Sequence, residues 1–147
     1  MFHMDHHNNL CFMKKPNLTP ALETILHTAF SYSPALELVV RERLRQITEE
    51  GWLPEHDDGH VKGELGQAAA CYADAASMQV RGVNVEGAKS AYFEGMTGTP
   101  LWPFDQESFR LKDDPLRNAI ISAALELAEA DRIIRQRAEA QKHGEAK

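Results

Sequence analysis

The sequence has few cysteines, no long hydrophobic run and no excess of positive charge, and each absence excludes a class of protein. Its two cysteines, Cys11 and Cys71, stand sixty residues apart. This is not a metal-ligand spacing, and it favours a reduced, cytoplasmic setting. No stretch of about 18 apolar residues is available to cross a membrane. The net charge of −6 argues against general nucleic-acid binding, which depends on clustered Lys and Arg.

Short motifs of several common enzyme classes are also missing. The chain has no Gly-rich phosphate loop, nucleophile elbow, His-Glu-x-x-His motif or Cys-x-x-Cys pair. What remains is 147 residues, 43% hydrophobic and 26% charged, the size and composition of one globular domain.

Proline and capping residues mark the starts of helices. Thr19-Pro20 and Ser33-Pro34 each place an N-cap residue before a proline at the first helical position. The sequence predicts an all-α fold, a small bundle of about four helices with a long Gly-rich crossover loop. The four helices are expected to begin at Pro20, at Pro34, near Asp57 or Asp58, and at Pro115; the third is expected to end near Met78 and the fourth near residue 138.

Apolar side chains at helical spacing predict which faces of these helices are buried. The third predicted helix is rich in alanine, which favours close packing against another helix. Gly51 is placed to end the second helix. The predicted buried stripes are Leu36, Val40, Leu44 and Ile47 on the second helix, and Leu116, Ile120, Ala123, Leu127 and Ile134 on the fourth.

The remaining segments lack a helical period. Residues 1–19 are predicted to form a flexible arm, residues 20–138 a single helical domain, and residues 139–147 a disordered tail. Four glycines and a proline between residues 81 and 100 favour a long loop with at most a short helix over residues 88–93. Loops of that length are often functional.

Five acidic or imidazole side chains lie within six residues, shortly after a Gly-Trp pair. They are Glu55, His56, Asp57, Asp58 and His60. Such a cluster can fix the polar edges of a ligand or hold a divalent ion. Alternatively, Asp57 and Asp58 only cap the next helix, where carboxylates are favoured, and the histidines are exposed. Both interpretations stay open.

Arginine and tryptophan side chains flank this cluster. Arg41 and Arg45 share one helix face, and arginine is suited to bidentate recognition of phosphate. Trp52 and Trp102 could form a stacking wall for a ring. The alternatives are a solvated helix face for the arginines and a core position for the tryptophans.

Carboxylates on two predicted helices suggest a second kind of site. Glu126 and Glu129 stand three apart on the last helix, and Glu64 lies four residues after His60. If these helices face each other, the carboxylates could hold Mg²⁺ inside a bundle. Exposed acidic residues on an amphipathic helix are the other interpretation.

A longer pattern resembles a family of small proteins common in bacteriophage and prophage genomes. It consists of an opening motif over residues 42–65, the run Ala68–Tyr72, the element Trp102-Pro103-Phe104 and an aliphatic last helix. The resemblance covers roughly residues 37–134. Because most members have no assigned activity, it implies an accessory protein of a mobile element, in the host cytoplasm, more than a mechanism.

One segment departs from that family pattern. Members often follow the Trp-Pro element with a Trp-Trp-Lys-Pro run, where this chain has Ser108–Lys112. If that run shapes a pocket, the ligand here could differ.

Two fainter similarities suggest activities. The first is to ryanodine-receptor-type (RyR) domains, and it is carried by the pairs Arg45-Gln46 and Gly51-Trp52 together with Pro103–Asp105. Bacterial RyR domains have been proposed to bind nucleotide-derived ligands. The run Gly63–Ala69 and the acidic last helix look like MazG-type all-α pyrophosphohydrolases, which hold Mg²⁺ on carboxylates. Only Glu64, Glu126 and Glu129 carry over from that pattern, which is incomplete here.

The leading hypothesis is a non-enzymatic binding module for a phosphate-bearing, nucleotide-like ligand or for a host protein, with no cofactor. Its expected ligand-binding residues are Arg41, Arg45, Trp52, His56, Asp57, Asp58, His60 and Trp102. The alternatives are a Mg²⁺-dependent nucleotide pyrophosphohydrolase that uses Glu64, Glu126 and Glu129 as metal ligands, and a purely structural interaction protein. A homo-oligomer is compatible with all three.

Overall fold

The structure, a computed structural model, describes residues 19–94 and 101–145, and in these ranges it is helical and without strands. The predicted all-α class is confirmed. None of the helices in these ranges is both long and apolar enough to span a bilayer. The α-helices are α1 (Pro20–Tyr32), α2 (Pro34–Thr48), α3 (Pro54–Asp57), α4 (Glu64–Val80), α5 (Val85–Glu94) and α6 (Pro115–Glu145), with a 3-10 turn at Gln106–Ser108.

The chain divides into two compact units between Leu36 and Glu37. In the first unit, α1 begins as predicted: Thr19 is the N-cap and its Oγ1 accepts a hydrogen bond from the Leu22 amide at 3.4 Å. No residue of α1 is buried. Apart from Thr19, the predicted flexible arm lies outside the described residues.

The core of the second unit is built on the packing of α4 against α6. Ala68 and Ala75 on α4 are fully buried, and their small side chains let the two helices approach closely. Ser122 on α6 donates a hydrogen bond to the Ala69 carbonyl at 2.7 Å. This arrangement confirms that the Ala-rich helix pairs with another helix, and the pair supports one side of the site described below.

The single third helix expected from the sequence is in fact two. The short α3 ends at Asp57, and α4 begins only at Glu64, after Gly63 adopts a left-handed conformation with φ of 82°. A left-handed residue breaks the helical path, and glycine adopts it without a steric penalty. As a result His60 lies in the connecting turn instead of sharing a helix face with Glu64.

The Gly-rich segment is more helical than predicted. In place of a short helix over residues 88–93, α5 covers Val85–Glu94. Asn84 stabilises its start because its Oδ1 accepts a hydrogen bond from the Gly87 amide at 2.8 Å. Ala88 and Tyr92 are buried in the core. The rest of the predicted loop, residues 95–100, lies outside the described residues.

The buried face of α2 is not the predicted apolar stripe. Leu36, Val40 and Leu44 are exposed and Ile47 is half-buried. The buried residues are Val39, Glu42, Arg43 and Gln46. The prediction was wrong because it assumed that only apolar side chains face inward, whereas polar groups can be buried when they pair with one another. Gly51, with φ of 76°, ends the helix as predicted.

The stripe predicted for α6 is also rotated. Ile120 is buried and Ala123 half-buried, but Leu116, Leu127 and Ile134 are exposed. The residues that face the core are offset by about one position: Ile121, Ala124, Leu125 and Ala128. The helix also runs past residue 138, through part of the predicted tail, to Glu145. Its last turns contain Ala, Glu, Gln and Lys, which favour helix.

Candidate functional site

An open pocket of about 590 Å³ lies in the second unit. Its sides come from α2, α3, α4, α6 and the segment between α5 and α6. A volume of this size suits a small organic ligand. The lining contains six aromatic or imidazole side chains: Trp52, His56, His60, Tyr72, Trp102 and Phe104.

Five of these rings form a continuous wall, called here the ring wall. Trp52 and His56 are stacked with an interplanar angle of 10° and a centroid distance of 6.5 Å. His56 contacts His60 edge-to-face at 5.0 Å, and His60 contacts Phe104 at 5.1 Å. Phe104 in turn contacts Trp102 at 5.6 Å. A wall of this kind offers faces and edges on which a planar ligand ring can pack.

Hydrogen bonds fix the last ring of the wall. Trp102 Nε1 donates to the Asp105 carbonyl at 3.1 Å and to Ser108 Oγ at 3.0 Å. Trp102 also stacks on the buried Phe109 with a centroid distance of 4.4 Å. The indole is therefore held in one orientation beside the pocket before any ligand arrives.

Beside the ring wall the pocket is lined by a buried polar surface, called here the polar floor. It consists of Glu42, Gln46 and Asp57, which are only 2%, 0% and 1% exposed. The Arg43 guanidinium forms an ion pair with Asp57 and donates to Gln46 Oε1 at 3.4 Å. Buried charges need such partners because leaving one unpaired is costly. The polar floor is thus held from behind by Arg43.

Glu42 is also the centre of an ion cluster that lines the pocket. Arg45 binds both of its carboxylate oxygens at 3.0 Å, and Arg117 on α6 pairs with the same carboxylate. Burial alone would raise the pKa of Glu42, but the hydrogen bonds from Arg45 and Arg117 lower it below its ordinary value. Arg45 also binds Glu50 at 2.7 Å, and these carboxylates raise the pKa of its guanidinium.

Two cationic side chains at the pocket have no such partner. Arg110 and Lys112 line the pocket, and their side chains form no hydrogen bond or ion pair within the described parts of the chain. Their backbones are fixed: the Arg110 amide donates to Tyr72 Oη at 3.2 Å, and the Lys112 amide donates to Asn118 Oδ1 at 2.9 Å. They are available to a ligand anion.

The pocket runs along α4 from Leu65 to Tyr72. The Arg110 amide is bonded to Tyr72 Oη, and the Tyr72 ring also contacts the ring wall, because it lies 5.7 Å from the Trp102 ring. Seven residues of helix span about 10 Å. Burial raises the pKa of Tyr72 to about 12, so its phenol stays protonated at neutral pH. Tyr72 is thus a neutral polar group that contacts both the ring wall, through Trp102, and the Arg110 backbone.

Six of the eight residues expected to bind a ligand do line this pocket: Arg45, Trp52, His56, Asp57, His60 and Trp102. The other two lie elsewhere. Arg41 is exposed on α2 and pairs with Glu37 at 2.7 Å. Asp58 faces away from the pocket and pairs with Arg135 on α6 at 2.8 Å.

The three carboxylates considered as metal ligands are not arranged as a cluster. Glu129 is buried and both of its oxygens accept hydrogen bonds from Arg132, at 2.6 and 3.0 Å. The pKa of Glu64 is lowered by hydrogen bonds from its own amide and from the Lys62 amide, the latter 2.8 Å long. Glu126 is exposed. Within residues 19–94 and 101–145, no group of three His, Cys, Asp or Glu side chains is placed to hold a metal ion.

Several pocket residues were not singled out from the sequence as site residues. They are Glu42, Gln46, Arg110, Lys112 and Arg117. Arg110 and Lys112 belong to the run that departs from the phage-family pattern, and this departure was the only signal that pointed to them. Glu42 and Gln46 belong to the opening motif of the phage-type pattern but were given no role there, and no motif marks Arg117, whose place at the pocket depends on the packing of α6.

Comparisons with family models, with curated proteins and with solved structures found no match to this chain.

Proposed function

We propose that this protein is a non-enzymatic binding module that captures a phosphate-bearing, nucleotide-like small molecule in the pocket. The observation that carries the proposal is the pairing of two features in one cavity. A wall of five rings and two cations that have no ion-pair partner among the described residues, Arg110 and Lys112, line the same pocket. Nucleotides join a planar ring to a phosphate, and this pocket offers a complement to each part.

The roles of the arginines change from those expected from sequence. Arg45 has three of its donors engaged by Glu42 and Glu50, so we assign it to positioning the polar floor. Arg41 is outside the pocket and receives no role. Arg110 and Lys112 take the phosphate contacts, because their charges are not already neutralised. Trp52 and the histidines keep the stacking and edge contacts proposed for them, whereas Trp102, only 6% exposed and stacked on Phe109, supports the ring wall from the core.

The biological setting of the proposal rests on the sequence resemblance to phage-type proteins. A small module that binds a nucleotide in the host cytoplasm would act by sequestering it or by sensing its concentration. A host protein as the ligand, and a purely structural role, are the other readings. Under either alternative, the ring wall and the cations Arg110 and Lys112 would have no small-molecule ligand.

Native mass spectrometry of the protein with Mg²⁺ and a mixture of nucleotides tests the proposal. We expect one intact nucleotide per chain. Conversion of a triphosphate to its monophosphate would instead support the Mg²⁺-dependent pyrophosphohydrolase. If nothing were bound or converted, the small-molecule proposal would fail.

A substitution at Arg110 tests the assigned phosphate contact. Arg110→Ala removes an exposed guanidinium at the pocket without disturbing an ion pair, so we expect the retained nucleotide to bind about tenfold more weakly or worse. Arg41→Ala is the matched control: it removes an exposed arginine outside the pocket and is expected to leave affinity unchanged. Calorimetric titration measures both. Equal affinities for the two variants would contradict the assignment.

A further inference from the structure

We infer that the polar floor selects a ligand ring bearing an exocyclic amino group, as in adenine and cytosine, over the corresponding oxo ring. This inference rests on the proposed function and concerns the same pocket. It follows from the hydrogen-bonding capacity that the polar floor leaves unused.

The buried network behind the polar floor is incompletely satisfied. Gln46 is fully buried, yet both of its side-chain hydrogen bonds, to Arg43 and Glu42, are 3.4 Å long. Hydrogen bonds of this type are normally about 2.9–3.0 Å. Among the described residues Arg43 Nε is buried with no hydrogen-bond partner, but Arg43 does not line the pocket. Because buried polar groups in proteins are nearly always satisfied, a ligand that bonds to Gln46 would complete the hydrogen bonding of its amide.

The side chains of Gln46 and Asp57 stand side by side, because one guanidinium binds both. Arg43 donates through Nη1 to Gln46 Oε1 and through Nη2 to Asp57 Oδ2. This leaves the second N–H of the Gln46 amide free to donate. It also leaves the second lone pair of Gln46 Oε1 free to accept.

Asp57 adds only acceptor capacity. Its Oδ2 is engaged by Arg43, while Oδ1 is 3.5 Å from His56 Nδ1, beyond the normal range of a hydrogen bond. A carboxylate has lone pairs and no proton to donate. The unused capacity of the polar floor is therefore acceptor-rich: it offers one donor, from Gln46, and acceptors on both Gln46 and Asp57.

A ring edge that matches this floor must present more donors than acceptors. An amino group beside a ring nitrogen does so, because its two N–H bonds can reach Gln46 Oε1 and Asp57 Oδ1 while the ring nitrogen accepts from the Gln46 amide. An oxo group at the same position turns its carbonyl lone pairs toward the Asp57 carboxylate. Asp57 Oδ1 then has no donor from the ligand. A site built to form buried hydrogen bonds with a ligand strongly rejects analogues that cannot form those bonds.

Calorimetric titration of the wild-type protein with two ligand pairs tests this. The pairs are adenosine and inosine diphosphate, and cytidine and uridine diphosphate, which differ in the amino or oxo character of the base. We expect the amino member of each pair to bind at least about tenfold more tightly. Inorganic pyrophosphate, measured in parallel, reports the part of the affinity that comes from phosphate alone.

The outcomes separate this inference from the proposed function. Equal affinities within both pairs, or pyrophosphate binding as tightly as adenosine diphosphate, would overturn base selection and leave phosphate capture intact. Failure of all four nucleotides to bind would overturn both. The variant Gln46→Met keeps the side-chain length and removes the amide, so it should reduce the difference within each pair to less than about threefold. Circular dichroism checks its fold, and if it does not fold the wild-type comparison decides alone.

Discussion

Two neighbouring aspartates show how far environment separates residues of the same kind. Asp57 is buried against Arg43, whereas the Asp58 side chain is 45% exposed and pairs with Arg135 at the surface. Removing one member of a buried ion pair leaves an uncompensated charge, whereas an exposed pair contributes little. The sequence placed both residues in one cluster. It could not tell them apart because the break between α3 and α4 decides which one points inward.

The corresponding substitutions form a matched test. We expect Asp57→Ala to lower the free energy of unfolding by about 3–5 kcal/mol, since Arg43 would remain buried without a partner. Asp58→Ala should cost less than about 1 kcal/mol. Urea denaturation of both variants measures the difference. Similar losses at the two positions would show that Arg43 and Asp57 do not form the buried pair described here.

Acid should weaken the fold through Glu42. Hydrogen bonds from Arg45 and Arg117 outweigh the effect of burial and lower the folded-state pKa of Glu42 below its ordinary 4.5. A carboxylate with a lowered pKa stabilises the fold above its unfolded-state pKa, and this stabilisation is lost as pH falls through the folded-state pKa. The stability gap between the wild type and Glu42→Gln should therefore be constant near neutral pH and shrink below about pH 4.5. Thermal melts across pH measure it; a gap independent of pH down to unfolding would contradict the cluster.

At the scale of the helices, two adjacent valines on α2 have the same side chain but differ in burial. They therefore separate the effect of burial on stability from the effect of residue type. Val39 is 9% exposed and Val40 is 37% exposed. Both substitutions to alanine gain the same helix propensity, so the difference between them isolates packing. We expect Val39→Ala to destabilise by about 1–2 kcal/mol and Val40→Ala to change stability by less than about 0.5 kcal/mol. The reverse order in urea denaturation would restore the apolar face predicted from the sequence.

The helix faces were the least predictable part of the fold. Local signals located the starts of α1 and α2, because a capping residue and a proline act within one turn. The face that a helix buries depends on its partners. On α2, Glu42 and Gln46 are buried because Arg117 on α6 and the Arg43–Asp57 pair meet them, and no local pattern carries that information.

For the molecule as a whole, the all-α class followed from the sequence, and so did six of the pocket residues. Five of them could be predicted because the run from Arg45 to His60 is short and unusually polar, and the sixth, Trp102, because it belongs to the Trp-Pro-Phe element. Arg110 and Lys112 could not be assigned, because their place at the pocket depends on long-range bonds to Tyr72 and Asn118. The proposed phosphate contacts are therefore properties of the assembled chain and not of any one motif.

The two tryptophans of the chain, Trp52 and Trp102, both belong to the ring wall, so intrinsic tryptophan fluorescence reports directly on the pocket. The most direct test of the central claim is to titrate the protein with adenosine diphosphate while recording this emission. A ring stacked on the wall predicts a saturable change at one ligand per chain, lost or weakened in Arg110→Ala and unchanged in Arg41→Ala. Emission that stays constant at millimolar concentrations of adenosine, inosine, cytidine and uridine diphosphate would contradict the account.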